Sequence, residues 1–348
     1  MTIDYYISLG SAITGILTDS PLLKAVPTAF RLTATCFPRL FPLGMTKRFN
    51  TEEKAKLGRI QGLLKGICQD LGIKDSSRIN LRVSRQLGAN ACMIGTINSW
   101  GGPVLCLGDT YFKNYESLLN TDNSEFRKWL ALLDEIPNTP AELGRYMDGC
   151  SIEKRNQIQR LSRKFKDVLS QDELESMLAH ELGHAKHYHL LKISGLLLLT
   201  LAADKAAQVF AKKIGFHTVY TFLSLPLIYI AIQAIARGCE SEADGECAVT
   251  AKYQRGMLEF HKKQLISELF KKTFFSFEKK VDQMIKASDW RSSHPNAAKR
   301  LQHAVQLTQK QNHPSTKMTK VAWALTGLGV LSLIQDCVLN AVQIWDAI

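Results

Sequence analysis

The six residues Ala179-His180-Glu181-Leu182-Gly183-His184 constrain this chain more than any other stretch. Ser170-Gln171-Asp172-Glu173 just before them has the form of a capping box, so the six sit inside a helix that starts there. Leu174, Met177, Leu178 and Leu182 recur at helical spacing and supply its buried stripe. A rise of ~1.5 Å and a turn of ~100° per residue then put His180 and His184 on one face, roughly 6 Å apart. Two imidazoles so placed can grip one metal ion, with Glu181 projecting beside them as a general base. Such a site needs one more protein ligand from elsewhere in the fold and one position open to water. His187 lies on the same face but about 10.5 Å from His180, too far to share an ion. With His189 it reads as a polar helix end.

The further ligand is sought downstream, where Arg237-Gly238-Cys239-Glu240-Ser241-Glu242-Ala243-Asp244 opens another helical pattern. Glu240 and Asp244 are four apart and share a face, so one can bind metal while the other orients a ligand histidine through its second ring nitrogen. Glu242 points away from that face. An acidic helix start by itself is ordinary complementarity to the helix dipole.

Composition narrows the class. With 348 residues, 45% hydrophobic and 22% charged, the chain is long enough for a sizeable core and is not a disordered segment. A net charge of +12 favours contact with an anionic surface. No basic-aromatic stripe is present, which excludes nucleic acid as the expected partner and leaves a membrane leaflet or an acidic protein. None of the eight cysteines forms a C-x-x-C pair, so a reducing, cytoplasmic compartment is expected.

Along the chain, residues 1–49 are apolar and broken by prolines, and read as short helices that touch the body or a membrane rather than as a secretory signal. Asn50 and Glu53 cap a helix that Gly72 ends. Residues 79–83 alternate apolar and polar as a strand. Residues 91–96 and 104–107 flank a hairpin connection, and the outer strand offers an edge to an extended peptide or only buries a helix. Residues 110–169 are polar and helical, with Thr139-Pro140 as a cap and Ile152, Ile158, Leu161 and Phe165 as an apolar stripe. This insertion reads either as a lid over a cleft or as an interaction surface. Apolar runs follow at 193–203, 214–236 and 321–335. Only the second is long enough to span a bilayer, and a buried helical hairpin accounts for it equally well.

H-E-L-G-H, a hairpin-sized apolar spacer and R-x-x-E-x-x-A-D together resemble peptidase family M48, the gluzincin metallopeptidases that include HtpX and the CAAX prenyl endopeptidases. Ser293-His294-Pro295 with Arg300-Leu301 is similar to the family's late motif, and Asn90-Ala91 to its segment before the metal helix. The resemblance runs from about residue 50 to 310. It implies an α+β, predominantly helical, zincin-like domain at 50–312, with a small sheet before the metal helix and a hydrophobic helical hairpin after it. Flanking this domain would be an apolar segment at 1–49 and another at 313–348. It implies one zinc ion per chain held by His180, His184 and Glu240, with Glu181 activating water, His294 stabilising the developing oxyanion or gating the metal, and Asp244 supporting a ligand histidine. Arg300 is expected to hold its helix in place. The implied activity is zinc-dependent endopeptidase cleavage of protein or peptide substrates at a membrane, peripherally or through one to two spans. The alternative is an inactive zinc-stabilised membrane scaffold of the same fold. The chain departs from the family in its long 110–169 stretch and its short spacer, and it lacks the tandem spans of the prenyl proteases.

Overall fold

The structure is a computed structural model that describes residues 51–119, 124–195, 213, 233–248, 250–271, 276–287 and 295–310. The expectations for 1–49, for 313–348, for the Asn50 cap and for most of the apolar hairpin lie outside these residues. Among the described residues no helix is long and apolar enough to cross a membrane.

Thr51–Asp70 forms helix α1, and Gly72, with φ +69°, ends it in the left-handed conformation that glycine adopts without steric cost. Three short strands follow: β1 (Asn80–Ser84), β2 (Ala91–Ile94) and β3 (Val104–Gly108). Their order is β1-β3-β2, with β1 parallel and β2 antiparallel to β3. The expected hairpin is therefore present, and it leaves β2 as an outer strand. β3 is buried along its whole length, as a central strand must be.

Helices account for the rest: α2 (Asp109–Leu119), α3 (Ser124–Glu135), α4 (Pro140–Gly149), α5 (Ile152–Phe165) and α6 (Gln171–Lys186). After the helical residues 233–246 come α7 (Ala251–Leu269), α8 (Phe277–Lys286) and α9 (Ala297–Lys310). The result is an α+β domain in which a small sheet precedes the metal-site helix. Pro140 stands at the first turn of α4 behind Thr139, where a missing N–H costs nothing. In α5, Ile158, Leu161 and Phe165 are buried as expected, but Ile152 is 68% exposed. Six residues turn a helix ~600°, which carries Ile152 about 120° off the face of Ile158.

Two cores meet along α7. The first joins Ile60, Leu64 and Ile67 of α1 and Leu81, Val83, Leu105 and Leu107 of the sheet to Leu174, Leu178 and Leu182 of α6, and Tyr253 and Met257 of α7 close it. The second joins Trp129, Leu133, Met147, Ile158 and Phe165 to Leu265, Ile266 and Leu269 of α7 and Val281 of α8. The 110–169 stretch thus shares a buried core with the later helices. Because α7 is covered on several faces, even Lys262 and Lys263 are buried, and each is satisfied by a specific acceptor. Lys262 Nζ donates to the Leu133 and Ile136 carbonyls at 2.8 Å, closing the end of α3. Lys263 Nζ donates to the Val168 carbonyl at 2.6 Å and to Glu173 Oε2 at 2.9 Å. Burial pushes the Glu173 carboxyl's pKa up, against the opposing effect of Lys263. That glutamate is the third residue of α6, so α7 fixes where the metal-site helix begins.

Candidate metal centre

Both ends of α6 are held. Ser170 Oγ accepts from the Glu173 N–H at 3.1 Å, and Glu173 Oε2 accepts from the Ser170 N–H at 2.6 Å, a complete capping box. On its site face, α6 packs against the helical residues 233–246 with Gly183 at the contact. A Cβ at Gly183 would lie 3.2 Å from Ala243 Cα and 3.1 Å from Glu246 Cγ. The absent side chain lets the two helices approach until Glu240 reaches the histidines. Gly183→Val is therefore expected to part the helices and weaken metal binding by more than tenfold, read by competition with a chelator; unchanged affinity would refute this role of Gly183.

His180, His184 and Glu240 each turn a donor atom toward one point, with those atoms all within 4.8 Å of one another. The two imidazole Nε2 atoms are 3.1 Å apart. Glu240 Oε2 is 3.5 Å from His180 Nε2, and Glu240 Oε1 is 3.6 Å from His184 Nε2. A tetrahedral ion with bonds of ~2.1 Å separates its ligands by about 3.4 Å. The three donors thus match three corners of a zinc site, and their chemistry, two imidazoles and a carboxylate, suits that metal.

Asp244 stands one turn beyond Glu240 and is 4% exposed. Its Oδ1 lies 2.8 Å from His180 Nδ1 and 3.0 Å from Arg300 Nη2 of α9. Arg300 also comes within 3.8 Å of Glu240 Oε2, so it ties α9 to both carboxylates and does more than fix its own helix. Burial opposes the charged form of Asp244, but Arg300 and His180 overcome it and hold the carboxyl well below the usual range. Burial also works against a charged His180, yet Asp244 and Glu240 hold its pKa up at about 10. Burial and the neighbouring His180 push His184 well down.

Behind this group lies His261 of α7, 2% exposed and held down to about 3 by burial and then by Arg300, against the pull of Asp244. Its folded pKa lies below the unfolded value of ~6.5, so between these pH values the unfolded chain binds more protons. The stability it contributes is complete above about pH 6.5 and is lost as the pH falls toward 3. His261→Gln should flatten the acid limb of the metal-free protein's stability curve, measured by urea denaturation between pH 7.5 and 4.5. An unchanged slope would contradict a neutral buried ring.

The helix does not end as a solvated polar tail. α6 stops at Lys186, and Tyr188 takes a φ of +56°, a left-handed turn that a side chain resists. Asn98 Nδ2 of the β2–β3 connection donates to the Tyr188 hydroxyl at 2.6 Å and braces that turn. The chain then brings His189, 2% exposed, back against His184 with Nδ1 atoms 2.7 Å apart. Glu242 faces away from the three donors but is not a bare surface acid: His189, His187 and Lys192 all converge on it. Glu246 takes His187 Nε2 at 2.6 Å and Lys186 Nζ at 2.8 Å. The one signal in the sequence was the crowding of histidines after the motif, set against Glu242 and Glu246 at matching helical spacing.

Glu181 is 9% exposed. Cys92 of β2 is half-buried, and its thiol pKa is raised by a hydrogen bond across the strands to Cys106, by desolvation and by the Glu181 carboxylate. The glutamate therefore lies within electrostatic reach of both β2 and β3. The expectation for His294 falls outside the described residues.

A helix presenting two imidazoles, a carboxylate from a second helix and a neighbouring glutamate define a metallopeptidase-type centre on an α+β domain. Residues 149–308 match the model of peptidase family M48, a family of metalloproteases. The match takes in the metal-site helix, Glu240 with Asp244, and the late motif. Asn90-Ala91 lies before it. Searches of curated proteins and of solved structures returned no match.

Proposed function

We propose that the protein is a zinc-dependent metalloendopeptidase that hydrolyses peptide bonds within protein substrates. The observation that carries this reading is the trio of donors from His180, His184 and Glu240 at the edge lengths of a zinc tetrahedron. When bound there, zinc acidifies a water to a pKa of ~7 and polarises a carbonyl. The chain's own residues do the rest. Asp244 Oδ1, 2.8 Å from His180 Nδ1, holds that ring with its Nε2 directed into the site. Glu181 takes the proton of the attacking water and returns it to the leaving amine. The substrate lies along β2, whose outer edge has no partner strand among the described residues. His294 stabilises the developing negative charge at the scissile carbonyl.

Endopeptidase action is tested by incubating the full chain with an unfolded protein such as casein and mapping the products by mass spectrometry. Internal cleavages that cease with chelator are expected; trimming from the ends alone would remove the endopeptidase assignment. We also propose membrane association, carried by the net charge of +12 and the apolar runs at 1–49, 214–236 and 321–335. Recovery of the protein in the membrane fraction is the expected result, with carbonate extraction separating peripheral from spanning attachment, and a freely soluble fraction would contradict it.

A further inference from the structure

We infer that His189 and Glu242 form a positioning relay that fixes the tautomer and ring orientation of His184, the second imidazole of the metal centre. The inference rests on the zinc reading of that centre. Its geometry is a continuous chain of polar contacts. His184 Nδ1 meets His189 Nδ1 at 2.7 Å, and His189 Nε2 meets Glu242 Oε2 at 3.0 Å. The two rings stand edge to face, 4.8 Å between centroids and 78° between planes.

One arrangement of protons lets a metal take His184 Nε2 and satisfies the contacts of this chain. Glu242 takes Lys192 Nζ at 2.6 Å, so it faces His189 as an acceptor, and His189 Nε2 donates to it at 3.0 Å. The other nitrogen of His189 meets His184 Nδ1 at 2.7 Å, and one of the two must be an N–H. With the proton on His184 Nδ1 and His189 Nδ1 accepting it, the Nε2 lone pair of His184 faces His180 Nε2 and Glu240. That is the tautomer a metal requires.

The arrangement repeats, with one imidazole added, what Asp244 does for His180. Each donor histidine thus has a carboxylate behind it, and each carboxylate has its own cation, Arg300 at 3.0 Å for Asp244 and Lys192 at 2.6 Å for Glu242. The left-handed turn at Tyr188 makes this possible. Counted along an unbroken helix, a residue five places after His184 would point about 140° away from it.

The test measures the zinc affinity of the full chain by competition with a chromophoric chelator, together with the visible spectrum of the cobalt(II)-substituted protein. His189→Leu and Glu242→Gln are each expected to weaken zinc binding 10- to 100-fold and to shift the cobalt bands. His189→Asn, whose Oδ1 can stand where Nδ1 stood, should recover most of the affinity. A folded His189→Leu or Glu242→Gln protein with wild-type affinity and an unshifted spectrum would overturn the relay alone. Glu242→Gln decides the matter if His189→Leu does not fold. Wild-type protein that binds no zinc would overturn the metal reading, and the relay with it.

Discussion

Glu181→Gln is expected to bind one zinc per chain as wild type does, while kcat on an unfolded protein substrate falls about 10³-fold. The amide has nearly the same shape as the carboxylate and can still hydrogen-bond water. It cannot accept the proton that the attacking water must lose. Glu181 belongs to the metal-site helix but is not one of the three converging donors, so the substitution leaves those donors untouched. The effect should fall on kcat and not on KM, since the proton moves only on the way to the transition state. A Glu181→Gln enzyme that cleaves at the wild-type rate would show that the base lies elsewhere.

Asp244→Asn is expected to have the largest effect on the apo protein. It leaves the Arg300 guanidinium, with side-chain exposure of 14%, facing an amide in place of its 3.0 Å carboxylate partner. Removing one member of a buried charge pair typically costs about 3–5 kcal/mol. The remaining acid within reach is Glu240, 3.8 Å away, so Arg300 competes for the carboxylate that the metal needs. His180 loses its acceptor at the same stroke. Zinc affinity should therefore fall by at least the 10- to 100-fold typical of a lost supporting carboxylate, with a marked loss of thermal stability in chelator. If Asp244→Asn is as stable and binds zinc as tightly as wild type, Asp244 and Arg300 have been given the wrong role.

The donors were legible in the sequence because their placement is a matter of helical period. Four residues separate His180 from His184 and Glu240 from Asp244, and the capping box at Ser170 shows where the first helix starts. The strands at β1 and the β2–β3 hairpin were legible from alternation and glycine-rich turn chemistry. What could not be read depends on partners distant in sequence. Gly183 looks like filler in the motif until Ala243 is seen against it. His189 looked like a helix tail because the period was carried through Tyr188, where the backbone turns left-handed and resets the direction. Glu242 faces away from the three donors, as its position predicted, but the side chains that meet it there come from the turn after α6. Lys262 and Lys263 close α3 and anchor α6 from inside the protein, a role that depends on acceptors 90 or more residues away in the chain. Glu240 and Asp244 remained interchangeable on spacing alone; the distances to Nε2 and Nδ1 of His180 separate them.

The central claim is that this centre cuts peptide bonds with zinc, and one measurement bears on it most directly. The full chain, purified without chelator, is analysed for zinc and assayed on casein before chelation, after chelation and after zinc is returned. The account predicts one zinc per chain, cleavage that disappears with the metal, and cleavage that returns with it. A folded chain that carries its zinc and leaves casein intact in every state would contradict it and mark the centre as a structural one.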